Sequence, residues 1–159
     1  MAQIPGLTSV VIVAADSGDD VGLCVDRVLA STLPVEAIVS DNASRDGSVD
    51  AIGARCSGDA RVRIVRNGAN LGFGAGCNRG AAQARGDVLL FLNPDCLVEP
   101  DTIARLRGFM APDIGLLGAS IVGSDDKPEP ASRRRDPFLR RIATSMFGLG
   151  GVDVPADAA

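Results

Sequence analysis

The sequence predicts an α/β domain in three layers, α/β/α, around a mainly parallel sheet. Two patterns predict it: β-branched apolar runs alternate with segments of helical spacing, and the loops between them are short. A third bears on chemistry. Asp16, Asp41 and Asp95 each fall at or just beyond the end of an apolar run. A parallel sheet brings such positions to the carboxyl rim, where these sheets take their ligands.

The first run, "LTSVVIVAA" (Leu7 to Ala15), is uninterrupted and β-branched, as expected of a strand covered on both faces. "DSGDD" breaks it, and Val21 to Ser31 has helical spacing. "VEAIVSD" is a second strand ending on Asp41, followed by "NASRDGS", where Asp46 is placed to cap a helix over Gly47 to Arg55. "RVRIV" is a third strand, and "GANLGFGAG" a glycine-rich turn leading to a helix over Cys77 to Arg85. "GDVLLFL" (Gly86 to Leu92) is a fourth strand, apolar enough to be central and covered on both sides. "EPDTIARLRGFM" is a helix with Pro100 near its start, and "IGLLGASIV" (Ile114 to Val122) a fifth strand. After Val122 the chain becomes an extension with a turn, an Arg-rich segment and a small-residue tail, expected to be mobile at its end.

Composition narrows the function. The chain has 159 residues, 46% hydrophobic and 23% charged, which suits one soluble globular domain. A net charge of −4, with five Phe and no Tyr or Trp, removes the basic footprint and stacking surfaces of a nucleic-acid binder. Histidine is absent, which excludes a Ser-His-Asp triad and His-containing zinc sites within this chain. Its chemistry therefore rests on carboxylates, amides, backbone N–H groups or a metal. Cys24, Cys56, Cys77 and Cys96 are widely spaced, which fits reduced thiols and makes the cytoplasm the expected compartment. No apolar run reaches the roughly 18 to 20 residues of a membrane span, and the first residues lack the pattern of a signal peptide.

Three segments are candidate sites. The glycines at 72, 74, 76 and 80 do not fit G-x-G-x-x-G, and no Walker A motif is present. Two readings stay open for them: close packing of turn and helix, or direct ligand contact. In "NPDC", Pro94 holds Asn93 extended and fixes the turn, which directs the Asp95 carboxylate outward. Taken alone, that motif reads first as an Asx-type turn, with a Mg²⁺ or Mn²⁺ ligand as the alternative. The cluster Arg133 to Arg135, with Arg140 and Arg141, fits a diphosphate contact, an anionic lipid surface or a solvated basic face.

Read together, "SVVIVAADSGDDVGLCVDRVLAS", "VEAIVSDNASRDGSVD", "NGANLGFGAGCNRGAAQARGDVLLFLNPDCLVEPDTI" and "GLLGASIV" resemble the nucleotide-sugar-binding half of a family 2 glycosyltransferase with the GT-A fold. Within that family the chain is most similar to rhamnosyltransferase-like members that carry Asn-Pro-Asp in place of Asp-x-Asp. The resemblance runs from about Thr8 to about Arg135. It implies a donor-binding domain over 1–135 and a partial, flexible extension over 136–159, the fold being truncated at its C-terminus.

Carried over by position, the resemblance places Asp41 on the nucleobase, with Ala14 and Asp16 near the same base and ribose. It puts Asn70, Gly72, Asn78 and Arg79 along the nucleotide pocket, Asn93 near the ribose, and Asp95 on a Mg²⁺ or Mn²⁺ ion that bridges to the diphosphate. The implied reaction is an inverting transfer from a UDP- or dTDP-sugar to a saccharide or lipid-linked acceptor in cell-surface polysaccharide synthesis. The implied place is the cytoplasmic face of the membrane, by peripheral association.

Two departures stand out. Ala15-Asp16 replaces the family's aromatic-polar pair, which reduces base stacking. The Glu-Asp type segment that supplies the family's catalytic base would lie beyond Ala159, and the late carboxylates Asp125, Asp126 and Glu129 sit in a turn-like context. The competing readings are a donor-binding fragment that transfers nothing and, more remotely, an NAD(P)-dependent oxidoreductase on a Rossmann-like sheet.

Overall fold

A computed structural model describes residues 3–123 and 127. Strands and helices alternate as β1 (Ile4–Ala14), α1 (Asp20–Leu29), β2 (Val35–Asp41), α2 (Ser48–Arg55), β3 (Val62–Arg66), α3 (Phe73–Ala81), β4 (Gly86–Leu92) and α4 (Thr102–Gly108). The sheet order is β3-β2-β1-β4, and every pairing is parallel. β1 and β2 are the inner strands, which is why Val10 to Ala14 and Val35 to Asp41 are all buried.

The two helical layers follow from which side chains each strand turns to which face. Val10, Ile12 and Ala14 of β1 join Val21, Cys24, Val25 and Val28 of α1, Val49 and Ile52 of α2, and Ile103 of α4 in one core. The α1 contacts have the i, i+3, i+4, i+7 spacing of a single helical stripe. The opposite face belongs to α3, where Gly76 lies against Val13 and Gly80 against Val11. Two helical layers therefore enclose a parallel sheet, making the three layers that the alternation of elements predicts.

At the amino end of the sheet, Glu36 is 2% exposed and fully engaged. Its Oε1 accepts from the Ser9 hydroxyl at 2.6 Å and the Arg85 amide at 2.7 Å, while Oε2 takes the Arg85 guanidinium at 2.7 Å. Burial pushes this carboxyl up, but the Ser9, Arg85 amide and Arg85 guanidinium contacts outweigh burial and hold it below the ordinary range. The knot joins β1, β2 and the start of β4. Gly86 cannot be larger there, since a Cβ would meet the Leu7 carbonyl oxygen at 2.4 Å.

Three elements differ most from the sequence reading, while β1 begins at Ile4 rather than Leu7 and α4 covers only Thr102–Gly108 of the expected Glu99 to Met110. β4 is an edge strand: Val88, Leu90 and Leu92 are partly buried, whereas Leu89 and Phe91 are 43% and 46% exposed. Its apolar run is covered on one face only. Helix α3 begins at Phe73, four residues before the expected Cys77, so half of the glycine-rich turn is already helix. The expected fifth strand is not formed. The chain divides between Ala111 and Pro112, and in the second unit Ile114 to Ile121 carry no regular structure, with a single bridge residue at Val122. An apolar run becomes a strand where a neighbour takes its backbone hydrogen bonds, and Leu116 in this run is 90% exposed. Gly123 N donates to the Lys127 carbonyl, joining the two described ends of the "SDDK" segment.

Candidate functional site

Register sets the floor of the rim. Ala14 pairs with Asp41, Asp41 pairs with Arg66, and Ile12 pairs with Leu92, so three strands end level with the approach to the Asn93-Pro94-Asp95 turn. Asp41 lies in the middle of this row, 2% exposed. Its Oδ1 accepts from Ser44 N at 2.9 Å, and its Oδ2 pairs with Arg66 Nη1 at 2.9 Å. The other arm of Arg66 reaches Asp50 on α2. Asp41 therefore orders the loop after β2 and the last residue of β3, a buried duty that the sequence alone does not disclose.

Asp16 has a left-handed backbone, φ 50°, as does Ala43 in the facing loop, φ 62°. Both conformations are disfavoured for residues with a Cβ and persist where surrounding bonds hold them. Those bonds are present. Asp16 Oδ1 accepts from Arg45 N at 2.6 Å, Asp16 N donates to Ser44 Oγ at 3.2 Å, and Gly18 N donates to Asp46 Oδ2 at 2.8 Å. Asp46 also accepts from Ser48 N at 3.0 Å and Ser48 Oγ at 2.6 Å, and the hydroxyl leads these contacts in holding its carboxyl below the usual range. Asp46 is thus not the N-cap expected of it: Gly47, at φ 78°, takes that position without a side-chain cap bond, and Asp46 holds the turn one residue before it. The loops after β1 and β2 are laced into one wall.

Asp95 differs from these two. It lies in a turn closed by Cys96 N donating to the Asn93 carbonyl at 3.1 Å, it is exposed, and its carboxylate takes no hydrogen bond or ion pair from the described residues. Beneath the turn the buried Cys24 thiol donates to the same carbonyl at 3.6 Å. Burial first, then the nearness of Cys96 and Asp95, pushes that thiol up to about 12, so it stays protonated and serves as packing and donor. Asn93 and Asp95 are both exposed at this corner.

Of the remaining expected residues, Asn70 and Gly72 stand at the rim where α3 begins. Asn70 Oδ1 accepts from Gly72 N at 3.0 Å, and Gly72 takes φ 80°. Asn78 and Arg79 are exposed in the last turn of α3. They lie roughly 8 Å down the helix from its rim end at 1.5 Å per residue, at the level of Val11 and Val13. Ala14 is fully buried, so what it offers a ligand is backbone. Arg133 to Arg135, Arg140, Arg141, Asp125, Asp126 and Glu129 fall outside the described residues.

Among the described residues no three Cys, Asp or Glu side chains gather to hold a metal by themselves. One open carboxylate still suits Mg²⁺ or Mn²⁺, since these ions take one or two protein oxygens and complete their shell with water and phosphate oxygens. No helix of the described residues is long and apolar enough to cross a membrane.

Comparison with known proteins agrees with this layout. The sequence matches the family described as Glycosyl transferase family 2 over residues 9–154. It is 32% identical over 133 residues to an N-acetylglucosaminyl-diphospho-decaprenol L-rhamnosyltransferase of Mycobacterium tuberculosis (strain ATCC 25618 / H37Rv), covering 76% of this chain and 42% of that protein. It is also 32% identical over 105 residues to the succinoglycan biosynthesis protein ExoO of Rhizobium meliloti (strain 1021), covering 65% and 29%. This chain thus spans well under half of either relative. Among solved structures, the mannosyltransferase PcManGT from Pyrobaculum calidifontis in complex with GDP-Man and Mn²⁺ aligns with a TM-score of 0.64 at 18% identity, covering 75% of this chain and 36% of that one. S. aureus TarS 1-349 in complex with UDP-GlcNAc aligns with a TM-score of 0.58 at 20% identity, covering 64% and 30%. These two likenesses concern the fold.

Proposed function

The chain belongs to glycosyl transferase family 2, and from that premise we propose that its rim binds the nucleoside diphosphate of a UDP- or dTDP-sugar donor, with Asp95 holding a Mg²⁺ or Mn²⁺ ion against the diphosphate. The observation that carries this reading is the contrast among the three rim carboxylates. Asp41 is buried and bonded, and Asp16, though exposed, is taken up by the Arg45 amide, whereas the exposed Asp95 has no bond to the described residues. A carboxylate held outward by a proline turn, with no partner among the described residues, is suited to a cation that arrives with its substrate.

The chain's own residues divide the work. The Asp41–Arg66 pair and the laced loops Asp16–Gly18 and Ser44–Asp46 form a preset wall on the base and ribose side. Asn70 and Gly72 line the opposite edge at the start of α3, and Asn93 stands beside Asp95. When bound, the divalent ion offsets the negative charge that builds on the departing diphosphate. In an inverting transfer the acceptor hydroxyl attacks the sugar C1 as the C1–O bond to that diphosphate breaks. The M. tuberculosis relative is named for a lipid-linked acceptor, which supports the same acceptor class here. The catalytic base belongs to no residue described, and transfer is proposed for the whole protein.

Calorimetric titration with UDP and with dTDP, each with and without Mn²⁺, tests the reading. Metal-dependent binding that Asp95→Ala removes is the expected result. Binding indifferent to Mn²⁺, or unchanged in Asp95→Ala, contradicts it.

A further inference from the structure

Behind the rim two amides, the half-buried Asn67 and the buried Asn42, form a run of bonds that none of the roles above uses. Asn67, just after β3, donates through Nδ2 to Ser40 Oγ at 3.0 Å and to Asn42 Oδ1 at 2.9 Å. Asn42, 4% exposed, donates in turn through its Nδ2 to the Gly72 carbonyl at 3.2 Å and to Asn70 Oδ1 at 3.4 Å. Ser40, fully buried, donates to the Gly76 carbonyl at 2.8 Å. Every bond in this run points the same way, from the ends of β3 and β2 into the glycine-rich segment. The donors themselves are anchored by backbone, since Asn42 N bonds to the Ala14 carbonyl at 2.8 Å and Asn67 N to the Asp41 carbonyl at 2.9 Å.

We propose that Asn42 and Asn67 are positioning residues that hold the segment from Asn70 to Gly76 in the form that receives the donor. This rests on the donor-site reading above. Glycine-rich backbone has little intrinsic preference for one conformation, so a segment carrying Gly72, Gly74 and Gly76 needs external bonds to present a fixed edge. The amide run supplies three, at Asn70, Gly72 and Gly76. It does so at a cost to stability, because Asn67 Oδ1 is buried with no partner among the described residues. A buried acceptor left unmatched marks an arrangement kept for placement rather than for the fold alone. The run also joins the two halves of the rim: Asn42 follows Asp41 directly, so the carbonyl it grips at Gly72 is held in register with the Asp41 row.

The test compares Asn42→Asp and Asn67→Asp, which keep the side-chain shape and remove the donating nitrogen, with Glu36→Gln, which weakens the fold at the opposite end of the sheet. UDP and dTDP with Mn²⁺ are titrated into each at a temperature where all are folded. The two asparagine variants should bind about tenfold more weakly, with Glu36→Gln within about twofold of wild type. Equal loss in all three, or wild-type affinity in the asparagine variants, overturns the proposal. Absence of binding by the wild-type chain overturns the donor-site reading instead, and the placement claim then stands or falls on amide hydrogen exchange. The Gly76 amide, which bonds to the Gly72 carbonyl at 3.0 Å, should exchange at least about tenfold faster in Asn42→Asp, and an unchanged rate there overturns placement. If Asn42→Asp does not fold, Asn67→Asp carries both measurements.

Discussion

Replacing Gly80 by alanine should destabilise the domain, while the same replacement at Gly74, on the same helix, should not. A Cβ at Gly80 would lie 2.4 Å from Val11 Cγ1, with Cγ2 at 3.4 Å and Cβ at 3.5 Å. Val11 is 1% exposed in the central strand, and a valine in that setting has little rotamer freedom with which to withdraw. Overpacking of this kind costs about 1–3 kcal/mol, and alanine returns about 0.5 kcal/mol of helix propensity. The net loss is then about 0.5–2.5 kcal/mol. At Gly74 a Cβ meets nothing within 4 Å, so propensity alone acts and the variant gains about 0.5 kcal/mol. Urea unfolding at 25 °C reads both as shifts of midpoint at constant slope. Adding Val11→Ala to Gly80→Ala should cost less than Val11→Ala does in the wild-type protein, because it also removes the methyls that the new Cβ strikes. Gly80→Ala at wild-type stability, or equal shifts at the two glycines, would refute the close approach of α3 to β1. A gap of about 2 kcal/mol would settle that Gly80 is a packing residue.

Two further predictions concern buried and half-buried carboxylates. Glu36→Gln removes the charge that Arg85 answers, and since Arg85 keeps some contact with water the loss is about 2 kcal/mol near neutral pH. The folded-state pKa of Glu36 lies below its unfolded value of 4.5, so this stability is present above about that pH and is lost as pH falls through the lower, folded value. The gap in midpoint between variant and wild type should therefore close in acid, and a gap independent of pH would contradict the assignment. Asp87 is held down to about 2, from an ordinary 3.8, by the Arg107 guanidinium at 2.9 Å and the Gly6 amide at 3.0 Å. Asp87→Asn should lower the melting temperature fully above about pH 4 and lose its effect toward pH 2. An equal effect at pH 2 and pH 7 would show that the pair is not what matters.

Much of this architecture was legible because periodicity and strand-end polarity are local signals. The strands Val35–Asp41 and Gly86–Leu92 form with the bounds their apolar runs indicate, and the three rim aspartates do end on one side of the sheet. What escaped depends on neighbours. "GDVLLFL" is as apolar as an inner strand, yet whether Leu89 and Phe91 are covered is decided by what lies beyond β4 and by α3 packing against β1 and β2 instead. The glycine run admitted both packing and ligand contact. The structure divides it, with Gly76 and Gly80 against valines and Gly72 at the rim with a positive φ. Arg66, Asn42 and Asn67 look like ordinary strand-end residues in the sequence. Their roles come from long-range bonds to Asp41, Gly72 and Ser40 that no spacing rule reports. Position directly after a strand is the one sequence signal that selects the two asparagines, since residues there reach the rim.

Asp95 is proposed as the point where a divalent ion meets the diphosphate, and paramagnetic broadening tests its location. With UDP or dTDP bound to the isotope-labelled chain, substoichiometric Mn²⁺ should broaden the backbone amide signals of Asn93, Asp95 and Cys96 first, then those at the ends of β1 and β2. The amides beside Glu36 and Asp59, across the sheet, should stay sharp. Broadening that begins at Asp19, Asp20 or Asp50, or that persists unchanged in Asp95→Ala, would contradict the account.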